Sequence, residues 1–454
     1  VPADAPTIQA GIDLAADGDL VLVAPGIYYE TVNIDDKTIT VASHYYLNQD
    51  PAMIDATVID GGCLENCDLD AHIVRFGSGV GRASTIMGFH VRNGNDGIMG
   101  FARINILYNH VTNTRDALEY KNGSGGLARG NLLELSVDDG IDLNRDTDLI
   151  AEHNLIRNNG GDGVEMRMYG YEGPLLTVIF RDNVIMNNED DGIQLIDYDG
   201  NSDRVIYIQR NLILNNWQSG IGIMGQGKTV ENYEAYSALE PMFVTNNSII
   251  GNDHGLTGGD NLQAYNNLFV GQTNIAIKNT DGDSATGYNL FWNNGTDIVA
   301  SNVDPDTNVY ADPQLDANQY LMVGSPAIDA GTEKGFWFNG AAPDLGAFES
   351  PVNAAPTVDA GADITTTGVA TPVALAGMVQ DDGLPEFSGA VTTSWQQVYG
   401  ACGVEFEDAS LPATSVAFPE AGYYRLRLTA DDGVETVTDD ISVCVENETS
   451  ACHP

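Results

Sequence analysis

The sequence predicts an all-β chain: a long solenoid of short parallel strands with a helical cap at its N-terminus, followed by a small β-sandwich. Three observations lead there. Asparagines followed by apolar residues recur through the first 300 residues, an acidic-Gly-apolar-acidic phrase recurs in step with them, and both patterns stop before residue 350. At 454 residues the chain exceeds one ordinary domain, so a large body over 1–350 and a smaller module over 351–454 are expected.

The chain opens on "PTIQAGIDLAADGDLVLVAPGIYYE". Residues 7–16 carry an amphipathic helical pattern and are read as a cap over the first coil, because a solenoid needs its exposed ends closed. Next come the repeats. Asn109, Asn131, Asn154, Asn183, Asn211, Asn247, Asn267 and Asn289 each lead a short run rich in Val, Ile and Leu, at spacings of 22, 23, 29, 28, 36, 20 and 22. A unit of about 22 residues with loop insertions is too short for a strand-helix pair and cannot bury a face alone, so units must stack. Parallel coils stack about 4.8 Å apart, which lets equivalent asparagines hydrogen-bond up the stack.

This pattern resembles the right-handed parallel β-helix proteins over roughly residues 1–300, many of which open with such a helix and a "VxVxPGxY" strand. "VGSPAIDAGT" and "APDLGAFE" resemble a closing segment of bacterial β-helix proteins, so 301–350 is expected to cap the far end. Beyond the junction "NAAPTVDAGAD", short strands with Trp395 and the Tyr423-Tyr424 pair suggest a β-sandwich. This stretch resembles the PKD-like or immunoglobulin-like modules of secreted bacterial proteins. Such modules act as spacers or carbohydrate-binding accessories, and no chemistry is assigned to it.

Acidic residues outnumber basic ones 65 to 19, a formal charge of −46, which repels nucleic acid and anionic membranes. No apolar run is long enough to span a bilayer. The chain begins without a basic or apolar leader, so a secreted monomer whose signal lies outside these residues is expected. Cys63, Cys67, Cys402, Cys444 and Cys452 lack zinc-finger spacing and are read as disulfide partners with one thiol left over. His90, His110, His153 and His254 are read as structural. No nucleophile elbow, zincin helix or phosphate loop appears.

Aligned on the second phrase, the coils read "NDGIMG", "RDALEYK", "DDGIDLN", "GDGVEMR", "DDGIQLI" and "QSGIGIM". Alternation along a strand turns Ile141, Val164 and Ile193 inward and stacks Glu119, Asp142, Glu165 and Gln194 in one outward column. Lys121, Asn144, Arg167 and Ile196 form a second. At the strand entries, Asp96 and Asp191 are explained by a turn, with the following glycine taking a positive φ. Glu119, Asp142 and Glu165 lie past the turn. Carboxylates about 5 Å apart repel by roughly 0.8 kcal/mol in water and about 3 at an effective dielectric near 20, so a divalent cation or a retained proton is expected among them.

"DDGID" is similar to the calcium cluster of the β-helical pectate lyases, which implies Asp138, Asp139 and Asp142 as ligands, Asp116 as the fourth, and Ca2+ as the ion. The matching phrase one coil on, which in that family carries the base lysine, here has Glu165. "VEMRMYG" resembles the arginine-bearing strand of β-helical alginate and chondroitin lyases.

Two chemistries fit. In β-elimination on an acidic polysaccharide, Lys121 is the base, Arg167 the acid or neutraliser, Arg145 a further neutraliser, and Tyr169 or Tyr171 a stacking or proton-donating partner. Asn144 and Gln194 would hold substrate. In endo-hydrolysis of a marine polysaccharide, sulfated or not, Glu165 is the acid, with Glu119 or Asp142 as its partner. A non-catalytic adhesin is the third reading. Loop insertions "MYGYEGPLL", "YDGNSDR" and "MGQGKTVENYEAYSALEP" are expected to wall a groove over residues 116–197.

Overall fold

Successive coils place Val-, Ile- and Leu-rich runs, mostly of three to five residues, at the same three points of each turn, and these pair in parallel with the coil before. The structure, a computed structural model, describes all residues except 63–71, 199, 201, 226, 228–232, 235–237, 352–354, 368, 382–390, 402 and 447–454. Among the described residues the strands form three parallel sheets of eleven strands each. The first runs from Leu20–Val23 to Ala285–Gly287, the second from Gly26–Tyr29 to Leu290–Trp292, and the third from Val32–Ile34 to Thr296–Val299. One continuous core fills the coil, with Ile106, Ile141, Val164, Phe180, Ile193 and Ile221 each 0% exposed.

The turns are held by hydrogen-bonded ladders. Asn109, Asn131, Asn154, Asn183, Asn211, Asn247 and Asn267 each donate backbone N–H and Nδ2 to Oδ1 of the asparagine one coil on, at 2.9–3.2 Å. Nδ2 also reaches a backbone carbonyl of the preceding coil, as Asn183 does to Ala151 at 2.9 Å. A second amide ladder at the next corner joins Asn159, Asn188, Asn216, Asn252, Gln272 and Asn294. Sequence periodicity singles out only the first. Asn183→Ala is expected to cost about 3 kcal/mol, because it removes the acceptor of both the buried N–H and the Nδ2 of Asn154. A urea midpoint equal to that of the parent would refute this.

The helix Ile8–Leu14 is capped by Thr7, whose hydroxyl accepts from Ala10 at 3.1 Å, and it buries Ile8 and Ile12 against the first coil. At the far end, bridges at Val303 and Val309 extend the stack. Ala327 and Leu345 then cover the outward-facing Leu268 and Leu290 along its side.

The chain divides into two compact units, the second comprising Ser350–Pro454 with the short segment Met322–Gly324. In that second unit, Ile364–Thr366, Thr436–Val445, Gly422–Asp431 and Thr392–Tyr399 make a four-stranded sheet, accompanied by a three-stranded and a two-stranded one. Trp395 is buried and donates its indole N–H to the Pro412 carbonyl at 2.9 Å, and the Tyr424 hydroxyl reaches the Glu420 carbonyl at 2.8 Å. Cys444 is disulfide-bonded to a partner outside the described residues, where Cys63, Cys67, Cys402 and Cys452 all lie.

Candidate functional site

The acidic phrase sits on the third sheet. Leu118–Tyr120, Ile141–Asn144, Val164–Met168, Ile193–Asp197 and Ser219–Met224 pair so that Glu119, Asp142, Glu165, Gln194 and Gly222 fall in one register column. Asn144, Arg167, Ile196 and Met224 fall in the next. Gly140, Gly163 and Gly192, each just before a strand, serve close stacking and do not take the positive φ expected of them. A Cβ on Gly163 would lie 2.6 Å from the Gly192 carbonyl oxygen and 2.5 Å from Ile185.

The aspartates at the strand entries form a third ladder. The N–H groups of Asp139, Asp162, Asp191 and Ser219 donate to Oδ1 of Asp116, Asp139, Asp162 and Asp191 at 3.2, 2.8, 2.7 and 2.6 Å. Asp116 and Asp139, predicted as ion ligands, therefore also carry the structural duty that sequence reasoning gives to Asp191. Asp96 instead meets His72 Nδ1 and Arg115, both at 2.7 Å.

The column faces outward from the coil, as expected, but it is closed to water. Glu119, Asp142, Glu165 and Gln194 are 1, 3, 5 and 1% exposed, and basic side chains fold over the first three. Lys121 is ion-paired with Glu119, and Arg167 with Glu165 and with Asp142, the latter at 2.7 Å. Arg115 meets Asp116 at 2.7 Å, Asp138 at 3.6 Å and Glu119 at 3.7 Å. Asn144 donates to Asp142 at 3.0 Å and receives Arg167 at 3.3 Å. These cations offset part of the repulsion that sequence reasoning leaves to a metal or a proton.

A proton contributes as well. Burial, reinforced by Asp142, Asp138 and Asp96, pushes the Asp116 carboxyl up to about 8 against the pull of Arg115. Burial also holds Asp139 and Asp162 well above the ordinary carboxylate range, helped by neighbouring carboxylates that include Glu165. Among the bases, burial lowers Lys121, while at Arg167 the charges of Asp142 and Glu165 outweigh burial and hold the guanidinium charged.

Beside the column, Tyr169 stacks on Tyr198 with centroids 3.9 Å apart, and Arg145 lies 4.9 Å over the Tyr169 ring. Burial and the hydrogen bond with Tyr169 push the Tyr198 hydroxyl up to about 12, so the phenol keeps its proton at neutral pH. Arg204, 1% exposed, fixes this corner by donating to the Arg145 carbonyl at 2.8 Å and to that of Tyr169 at 3.5 Å. Tyr171 lies at an adjacent depression of about 730 Å³, lined also by Gly170, Glu172, Gly200 and Asp203. Half of the longest insertion falls outside the described residues. Of its described part, Tyr233 bonds Asp191 and tilts against His254 with centroids 5.0 Å apart, while the outward-facing Ile196 and Met224 are fully buried.

Two carboxylate triads could hold a cation: Asp116, Asp138 and Asp139, and Asp116, Glu119 and Asp142, each offering oxygens within 4.8 Å of one another. The four predicted ligands thus appear as two sets sharing Asp116, and Glu119, assigned to catalysis, joins the second. That set fits a hard cation. Both Glu119 oxygens and Oδ2 of Asp116 lack a hydrogen-bond partner, although Lys121 and Arg115 lie against them as ions. Sequence reasoning misses Arg115, Tyr198 and Arg204. For Arg115 the signal was present, because a base occupies the place held by Asp138, Gly161 and Asp190 in the next coils.

Residues 60–235 match the family described as the right handed beta helix region, and residues 360–445 match a family of PKD domains. The chain joins a right-handed β-helix to a PKD domain. The β-helix is similar in fold to the Azotobacter vinelandii mannuronan C-5 epimerase AlgE4 A-module, at 13% identity over 65% of this chain and 92% of that one, with a TM-score of 0.43. It is similar also to the Yersinia enterocolitica family 28 exopolygalacturonase, at 13% identity over 66% and 75% of the two chains, with a TM-score of 0.34. The PKD domain is similar to that of the KIAA 1837 protein, at 22% identity over 23% of this chain and 99% of that one, with a TM-score of 0.17.

Proposed function

We propose that this β-helix is a secreted, calcium-dependent lyase that cleaves a uronate-containing polysaccharide by β-elimination on the outer face of its third sheet. The observation that carries the reading is the placement of Lys121 and Arg167. Arg167 leans back over the Asp142 rung to bond Asp142 and Asn144, which sets a permanent cation one rung from a lysine whose charge burial disfavours. The Asp116, Glu119 and Asp142 triad would hold the ion, which when bound supplies positive charge to the uronate.

Lys121, once it has released its ammonium proton, removes the proton next to the uronate carboxylate, and Arg167 balances the charge that develops there. The electron pair forms the new carbon-carbon double bond as the glycosidic bond to the leaving sugar breaks. The departing oxygen takes its proton from a phenol of the stacked Tyr169 and Tyr198 pair. Arg145, Tyr171 and Gln194 would line the sugar path. The hydrolytic reading is weaker, because Glu165 is paired with Arg167, whereas a hydrolase acid has to deliver a proton.

The test is incubation with acidic and sulfated polysaccharides, with and without EDTA, following both unsaturated-uronate absorbance and reducing ends. Both rising, and both suppressed by EDTA, is the expected result. Reducing ends alone would indicate a hydrolase. No change across the panel would favour a binding protein.

A further inference from the structure

A second cluster lies on a different face. His90 and His110, read from sequence as structural, pair in register on adjacent rungs of the second sheet, their rings stacked with centroids 4.3 Å apart and planes 9° apart. Each imidazole has its outer nitrogen engaged: His90 Nε2 with the Thr112 hydroxyl at 3.0 Å, His110 Nε2 with Glu134 at 3.1 Å. Glu134 is itself held by Arg157 Nε at 2.7 Å. The two Nδ1 atoms then face the same carboxylate oxygen, Asp55 Oδ1, at 3.7 Å from His90 and 2.8 Å from His110. Asp55 comes from the helix Ala52–Ala56, inserted between the strands Thr40–Ser43 and Thr57–Asp60.

We infer that His90 Nδ1, His110 Nδ1 and Asp55 form a binding site for a borderline transition-metal ion such as Zn2+, independent of the acidic site on the third sheet. Three arguments converge. The Glu134 carboxylate on His110 Nε2 fixes that tautomer and leaves its Nδ1 lone pair for a metal, the Thr112 hydroxyl can accept from His90 Nε2 in the same way, and a carboxylate behind a histidine is the usual partner of a ligating imidazole. Metal-nitrogen and metal-oxygen bonds of about 2.0–2.2 Å put tetrahedral donors roughly 3.3 Å apart, between the two separations observed. Imidazole selects zinc, nickel or copper over calcium, so this site and the carboxylate triad would take different ions. The open side of Asp55, 67% exposed, leaves room for a water ligand, and the bound ion would clip the inserted helix to the sheet.

The test is Co2+ binding by the whole chain in saturating Ca2+, read as visible ligand-field absorption, with Zn2+ competing. Tight binding of one equivalent is expected, lost in the His90→Gln, His110→Gln double variant and weakened at least about tenfold in Asp55→Asn. Asp142→Asn should bind Co2+ as the parent does. Absence of the band in the parent, or an undiminished band in Asp55→Asn, would overturn the inference. Asp55 is exposed on a short helix, so its variant reads out even if the double variant fails to fold. Because the readout is not activity, it stands apart from the lyase reading.

Discussion

Lys121→Arg is expected to lower the rate of β-elimination by about a hundred- to ten-thousand-fold, the range for losing a positioned base, while leaving the melting temperature unchanged. The substitution keeps the ion pair with Glu119, which is 1% exposed and would otherwise be left as a buried uncompensated charge. It removes the chemistry only, because a guanidinium does not give up its proton in the working range of pH. Lys121→Met would confuse the two effects. The reciprocal Arg167→Lys keeps the charge but gives up the fork that spans Asp142 and Glu165, so substrate binding and turnover should both suffer. Elimination at the parental rate in Lys121→Arg would remove Lys121 from the mechanism and with it the lyase reading.

Local periodicity carried the fold. Asn109 through Asn289 announced the first ladder because each coil needs the same amide at the same corner, and a strand's alternation put Asp142 beside Glu165. The second ladder was written in the same phrases, in Asn159, Asn188 and Asn216, but a terminal asparagine is also an ordinary turn residue. What the sequence could not reveal was how far the column is covered. That depends on side chains from neighbouring coils folding over it, Arg115 and Arg167 above all, and on an insertion docking Tyr233 against Asp191. The pairing of Tyr169 with Tyr198 is of the same kind: 29 positions separate them, and loop insertions at both coils bring the rings together. Asp55 and the two histidines were illegible for a similar reason, since a helical insertion supplies the third group.

The apo protein should lose stability as pH rises from about 5 to about 8, and calcium should restore it. Asp116 sits near 8 when folded and near 3.9 when unfolded. In that interval the unfolded chain has released the proton while the folded one retains it, so the folded state binds more protons and stability falls with rising pH. The contribution is complete below the unfolded value and fully lost above the folded one. Asp139 and Asp162, raised in the same direction, steepen the slope. For a carboxyl displaced this far the cost by pH 8 is on the order of a few kcal/mol. A cation on Asp116, Glu119 and Asp142 favours the charged forms and would flatten the profile. Melting temperatures at pH 5.5 and 8 in EDTA should therefore differ by several degrees, with the gap narrowed by Ca2+ and by Asp116→Asn. A melting temperature that holds steady or climbs over this interval in EDTA would mean that the carboxylate ladder does not store protons, and that its charge is neutralised by Arg115, Lys121 and Arg167 alone.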